Sequence, residues 1–142
     1  MTLPDAATPP PAAVLYAKDI DRVSSFYAAV AGLVTTHRGD GYVVLTLPGP
    51  QGPAWELIVH AIPPEVAESI HVTFPPERRE DAATKLVLPV TDLSQARREA
   101  VRLAGVLDPA EREWSWNGVR ACDGHDPEGN VFQVRVAVAT AP

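Results

Sequence analysis

The stretch Asp126-Pro127-Glu128-Gly129-Asn130-Val131-Phe132-Gln133-Val134 decides how the rest of this chain is read. Its first four residues have β-turn chemistry: Asp at the first position, Pro with φ already set at the second, Gly at the fourth. The alternating, β-rich run from Val131 to Val136 comes next, so the turn launches a strand. Alternation places Val131, Gln133 and Arg135 on one face of that strand and Phe132 and Val134 on the other. One face is mixed and the other apolar, as expected of a sheet with helices on one side only.

Working outward, the elements before this strand recur earlier in the chain. Ala13 to Ala17 reads as a strand, with Asp19 or Asp21 as helix cap. Ile20, Val23, Phe26, Tyr27 and Val30 then form a stripe at helical spacing, closed by Gly32. Strands follow at Leu33–His37, Tyr42–Leu47 and Trp55–Ala61, with Arg38-Gly39-Asp40-Gly41 as a hairpin turn and residues 48–53 as loop. The same order restarts at Leu86–Val90, where Asp92 and Gln95 make a capping-box pattern. Leu93, Ala96, Ala100, Leu103 and Ala104 mark its helix stripe, and Gly105 is the expected stop. Asp19 to Asp92 and Gly32 to Gly105 are both offset by 73 (92 − 19; 105 − 32), whereas Gly41 to Gly118 and Glu56 to Gln133 are both offset by 77 (118 − 41; 133 − 56). Such constancy with one step of four is the signature of a duplicated module carrying one loop insertion.

The predicted organisation is an N-terminal arm over residues 1–12, rich in proline, a first βαβββ module over 13–61, a linker over 62–84, a second module over 85–137, and a tail over 138–142. Within the linker, Ile70 to Phe74 is a further candidate strand. A connection of this length suits a lid or a crossover between subunits.

Composition bounds the function classes. With 142 residues, 46% hydrophobic and 21% charged, the chain has the make-up of one globular domain. A net charge of −6 argues against a nucleic-acid binder, which needs a basic face. One cysteine, Cys122, precludes an intramolecular disulfide and is expected to be small buried filling. No run of apolar residues is long enough for a membrane-spanning helix, and the first residues lack a basic and apolar leader pattern. A reducing cytosol is therefore the expected location.

Two tandem βαβββ units, Lys18-Asp19-Ile20-Asp21-Arg22 leading to Phe26-Tyr27, and the Asp-Pro-Glu-Gly-Asn turn together resemble the vicinal oxygen chelate superfamily, which includes glyoxalase I, extradiol dioxygenases and bleomycin-resistance proteins. The resemblance runs from about Ala13 to Val136. It implies an α+β fold of curved mixed sheets around a cleft, often within a homodimer. In metal-dependent members, the first and last strand of each module supply the ligands. Counting from the shared Asp and Asn puts those positions at Ala12, Glu56, Lys85 and Gln133. Only Glu56 is an ionisable oxygen ligand; Lys85 repels a divalent ion, and Gln133 is neutral. No metal or other cofactor is expected. Instead Lys85 is expected to meet Glu56 where the metal would lie, with Gln133 as hydrogen-bonding support.

The candidate ligand-binding residues are thus Tyr16, Glu56, His60, Lys85, Trp114, Trp116, Gln133 and Arg135. Tyr16, His60 and Arg135 follow by strand parity, and Trp114 and Trp116, two apart, share a face suited to stacking a flat molecule. The leading expectation is a protein that binds a small organic ligand without metal, as a homodimer with neither nucleic acid nor membrane as partner. The alternative is an enzyme of the same superfamily (lyase, isomerase or dioxygenase-like), acting through Glu56, His60 or Lys85 or through a metal on unusual ligands. A regulatory module with an empty cleft is a third reading.

Overall fold

In the computed structural model, which describes residues 8–138, the two modules share one order of elements. The first has β1 (Ala12–Ala17), α1 (Ile20–Ala31), β2 (Val34–Gly39), β3 (Tyr42–Gly49) and β4 (Gly52–Ala61). A short helix α2 (Pro64–Ala67) lies in the connection. The second module has β5 (Leu86–Pro89), α3 (Leu93–Arg102), β6 (Val106–Leu107), β7 (Trp114–Trp116), β8 (Val119–His125) and β9 (Val131–Ala137). The sheets are ordered β1-β4-β3-β2 and β5-β9-β8-β6, with β7 also pairing β8. In each, the first strand runs parallel to the last and the remaining pairs are antiparallel. The second module's edge is one strand broken in two by the 3-10 turn Ala110–Arg112, and the predicted insertion lies in this break. Among the described residues no helix is long and apolar enough to cross a membrane.

The caps are those the sequence calls for. Asp19 accepts from the Arg22 amide and Asp92 from the Gln95 amide, both at 3.0 Å. Gly32 ends α1 in the left-handed conformation (φ 67°). At α3 the expectation fails: Ala104 adopts positive φ (69°), and the helix has already ended at Arg102. Gly105 has another task, since a Cβ there would overlap the Phe26 ring and the His125 carbonyl. Two other local readings need correction. Residues 48–53 are not all loop; β3 and β4 extend to Gly49 and from Gly52, pairing Pro48 with Pro53 and Gly49 with Gly52 after a register shift, and only Pro50 and Gln51 form the turn. Prolines fit a strand at such an irregularity because they lack a ladder donor. Residues 70–74 form no strand. They are held instead by bonds near and far in sequence, Thr73 Oγ1 to the Pro75 carbonyl (2.8 Å) and Lys18 Nζ to the Ile70 carbonyl (2.5 Å).

The two modules share one core. Leu57, Val59, Phe132 and Val134, the predicted helix-side positions, are fully buried. Phe26 and Tyr27 of α1 reach across to Phe132 of β9, with ring centroids 5.5 and 5.8 Å apart in edge-to-face arrangement. Such pairs contribute about 0.5–1.5 kcal/mol each beyond the area they bury. The Asp126 turn closes the same junction. Its carboxylate is fully buried and accepts from the amides of Glu128 (2.9 Å) and Asn130 (3.0 Å), the Asn130 side chain, and the Tyr27 hydroxyl (2.9 Å). Glu128 then accepts from the Lys18 and Asp19 amides, 2.8 Å each, so a turn of the second module holds the entry to the first helix. Burial raises the carboxyl of Asp126 above its ordinary range, although all of these bonds favour the charged form. Tyr27 is raised well above a free phenol by burial and by the adjacent Asp126 charge.

Candidate functional site

With α1 and α3 packed into the core, each sheet keeps one face free of these helices, and the predicted site residues divide between these two faces. On the first sheet the register lines up Tyr16, His60 and Tyr42 across β1, β4 and β3. The His60 ring lies edge-on to Tyr16 (5.7 Å) and stacks parallel to Tyr42 (6.4 Å, 11°). His37 Nε2 is 2.9 Å from the Tyr42 hydroxyl, extending the row to β2. His60 is tied by Nδ1 to its neighbour's carbonyl at 2.8 Å. Glu56 sits two rows away, paired with Ala12 and Thr46. It is half-buried, and its carboxylate has no hydrogen bond or ion pair among the described residues.

The second sheet carries a continuous polar chain. Lys85 Nζ contacts Asp123 Oδ2 at 3.0 Å, and Gln133 Nε2 donates to Asp123 Oδ1 at 3.1 Å. Arg135 Nε then donates to Gln133 Oε1 at 2.7 Å, and its guanidinium carbon lies 5.9 Å from the centre of the Trp116 ring. Trp114 and Trp116 project from the adjoining strand, 40% and 62% exposed. Four of the eight predicted residues (Trp114, Trp116, Gln133 and Arg135) therefore belong to one sheet, Lys85 immediately precedes its strand β5, and Lys85, Gln133 and Arg135 are joined through Asp123 into one network.

The expected ion pair of Lys85 with Glu56 is not formed; Lys85 pairs with Asp123. The reason is register. Val87, not Lys85, lies opposite Gln133. Seven positions separate Ala12 from the cap Asp19 (19 − 12) but only five separate Val87 from Asp92 (92 − 87), so counting back from the cap overshoots by two. Parity is unchanged, and Lys85 keeps the anticipated face. Asp123, which joins Lys85 to Gln133, was not anticipated. Its signal was available: counting outward from the Asp126–Asn130 turn along the β8–β9 hairpin puts Asp123 directly opposite Gln133.

A glyoxalase-like domain model matches residues 12–135. The chain belongs to the glyoxalase-like family. It thereby falls in the vicinal oxygen chelate superfamily. No curated protein matches the sequence. Similar solved structures include a hypothetical protein from S. aureus, at 13% identity and TM-score 0.61, with 96% of each chain covered. The fosfomycin resistance protein FosX from Listeria monocytogenes is similar at 10% identity and TM-score 0.59, again over 96% of each chain. UcmS2 is similar at 14% identity and TM-score 0.60, over 92% of this chain and 98% of its own. At these identities the likeness is one of fold.

Metal-dependent relatives imply a divalent ion between the modules, and the residues here do not fit one. The register pairs Ala12 with Glu56 and Val87 with Gln133, which offers one carboxylate and one amide. That amide is bonded at both ends, to Asp123 and to Arg135. Among the described residues no three His, Cys, Asp or Glu side chains converge as a metal cage. Cys122 lies on the core face, fully buried, with its thiol raised by that burial, and contributes nothing nucleophilic.

Proposed function

We propose that this protein binds a small organic molecule on the helix-free face of its second sheet, without the divalent metal of its metal-dependent relatives, and acts as a cytoplasmic homodimer. The observation that carries this reading is the Lys85–Asp123–Gln133–Arg135 chain beside Trp116. Its four polar side chains hold one another in place, which is the preorganisation a binding site needs. Two exposed indoles on the same sheet offer flat apolar area at small entropic cost. A homodimer is supported by the open faces of both sheets, where Val14, Tyr16, Val34 and Val87 are each 45–57% exposed. That is more apolar surface than a sheet ordinarily leaves in water.

The test is a thermal-shift screen of the purified protein against metabolites and antibiotics, with elemental analysis of the same preparation. A ligand at a hundred times its Kd stabilises the fold by about 2.7 kcal/mol through mass action, a shift that such a screen resolves. A library that moves the melting temperature nowhere defeats the binding reading. Near-stoichiometric zinc, iron, manganese or nickel defeats the metal-free one.

One observation supports a catalytic reading beside it. Glu56 is a half-buried carboxylate with no partner among the described residues, on the same face as His60, and so is free to act as a base. Turnover of a bound compound that stops in Glu56→Gln, with binding kept, decides for the enzyme.

A further inference from the structure

On the face described above, the charges do not cancel. Lys85 and Asp123 neutralise one another at 3.0 Å. Arg135 is left with a neutral partner, the amide oxygen of Gln133, and has no carboxylate within ion-pair distance among the described residues. Because Nε is the atom engaged by Gln133, the two terminal nitrogens remain available side by side. That edge of a guanidinium matches the two oxygens of a carboxylate.

The surroundings define what the carboxylate is attached to. Strand register places Arg135, Ala121 and Trp114 in one line across β9, β8 and β7. Neighbouring strands lie about 4.8 Å apart, so Arg135 and Trp114 stand about 10 Å from each other. Ala121, between them in the line, is itself buried, so the exposed surface here belongs to the tryptophans. Trp116 flanks the line one row further along, within reach of the Arg135 guanidinium. The guanidinium thus stands against one indole, and beside it Trp116 and Trp114 are 62% and 40% exposed, flat apolar area next to a cationic fork.

We propose that this face takes a planar aromatic carboxylate, its carboxylate on the Arg135 fork and its ring against the exposed indoles of the two tryptophans. The inference rests on the small-molecule reading of the same face and names the class of ligand. It also assigns a purpose to Gln133. A carboxylate at that position would neutralise Arg135 internally and leave no charge for a ligand. The amide orients the same guanidinium without cancelling it. Gln133 is then a positioning residue, and Asp123, held by Lys85, orients Gln133 in turn.

The experiment is isothermal titration of the full chain with three probes of one shape: 2-naphthoate, 2-naphthylmethanol and 2-naphthylmethylammonium. The carboxylate is expected to bind at least tenfold tighter than the alcohol, and the ammonium more weakly than either. Arg135→Gln is expected to remove the preference for carboxylate over alcohol, and Arg135→Lys to restore part of it, since charge returns without the fork. Gln133→Glu is expected to remove the preference as Arg135→Gln does, while Trp116→Ala weakens carboxylate and alcohol alike. Circular dichroism and melting temperature establish that each variant is folded. Equal binding of the alcohol, tighter binding of the ammonium, or full carboxylate affinity in Arg135→Gln overturns the assignment. If no naphthyl probe binds but a library compound raises the melting temperature, the ligand class is wrong and the binding reading stands. If neither binds, both fall.

Discussion

The second module holds two polar networks built from similar parts, and they end in opposite conditions. At the β8–β9 turn the fully buried Asp126 is bonded by two backbone amides, the Asn130 side chain and Tyr27, all within the chain. Three residue pairs along the same hairpin, Asp123 and Gln133 are bonded to one another and to two cations, and the network ends on a guanidinium at the surface. In the first, every donor meets an acceptor supplied by the chain; in the second, the two terminal nitrogens of Arg135 have no hydrogen-bond acceptor among the described residues. Saturation marks a network that holds the fold, and an outward remainder marks one arranged for something the chain does not contain.

Substitutions can break or sharpen this contrast. The largest effect is expected for Asp126→Ala, which leaves two buried amides and the Tyr27 hydroxyl without an acceptor. At about 1–3 kcal/mol for each unsatisfied group, the variant is expected to lose at least about 3 kcal/mol in denaturant unfolding, or to fail to fold. Glu128→Ala releases the amides of Lys18 and Asp19 in a partly exposed place, and about 1–2 kcal/mol is expected by the same measurement.

Tyr27→Phe removes one bond to Asp126 and is expected to cost about 1–2 kcal/mol. It also carries a pH signature. The folded chain keeps the Tyr27 phenol protonated above the pH at which the unfolded chain releases it, so its contribution is complete below about pH 10 and declines above. The parent is therefore expected to lose stability more steeply above pH 10 than the phenylalanine variant, as read by urea midpoints across that range. Smallest of all, Lys85→Ala is expected to change stability by less than about 1 kcal/mol, because the lysine is substantially exposed and its ion pair is screened by solvent. A loss comparable to that of Asp126→Ala would erase the distinction between the two networks.

The fold was legible because its signals are local. Caps at Asp19 and Asp92, the turn at Asp126, positive-φ glycines at Gly41 and Gly118 and strand parity each depend on a few neighbouring residues. Which residues share a face was legible for the same reason. What failed was whatever depended on counting across an element or on a distant partner. The two-residue discrepancy at β5 moved Lys85 away from the position opposite Gln133. The continuation of β3 and β4 through two prolines depended on a register shift that composition conceals. Gly105 looked like a helix stop, whereas its lack of a side chain answers to Phe26, far away in sequence.

That last contact has a consequence for the chain as a duplicate. A repeat whose halves meet only at their surfaces can be cut apart and still leave two viable pieces. Here Phe26 of the first helix occupies space that Gly105 vacates, and Phe26 and Tyr27 both rest on Phe132, so neither half owns a finished interior. Severing the connection between the modules would strand Phe26 and Tyr27 in water on one fragment and bare Phe132 on the other. The symmetry visible in the sequence is that of two copies, yet the thing that folds is indivisible. Within such a fused body each sheet's open face is at liberty to change its chemistry, because the partner module, not the face, keeps the structure standing.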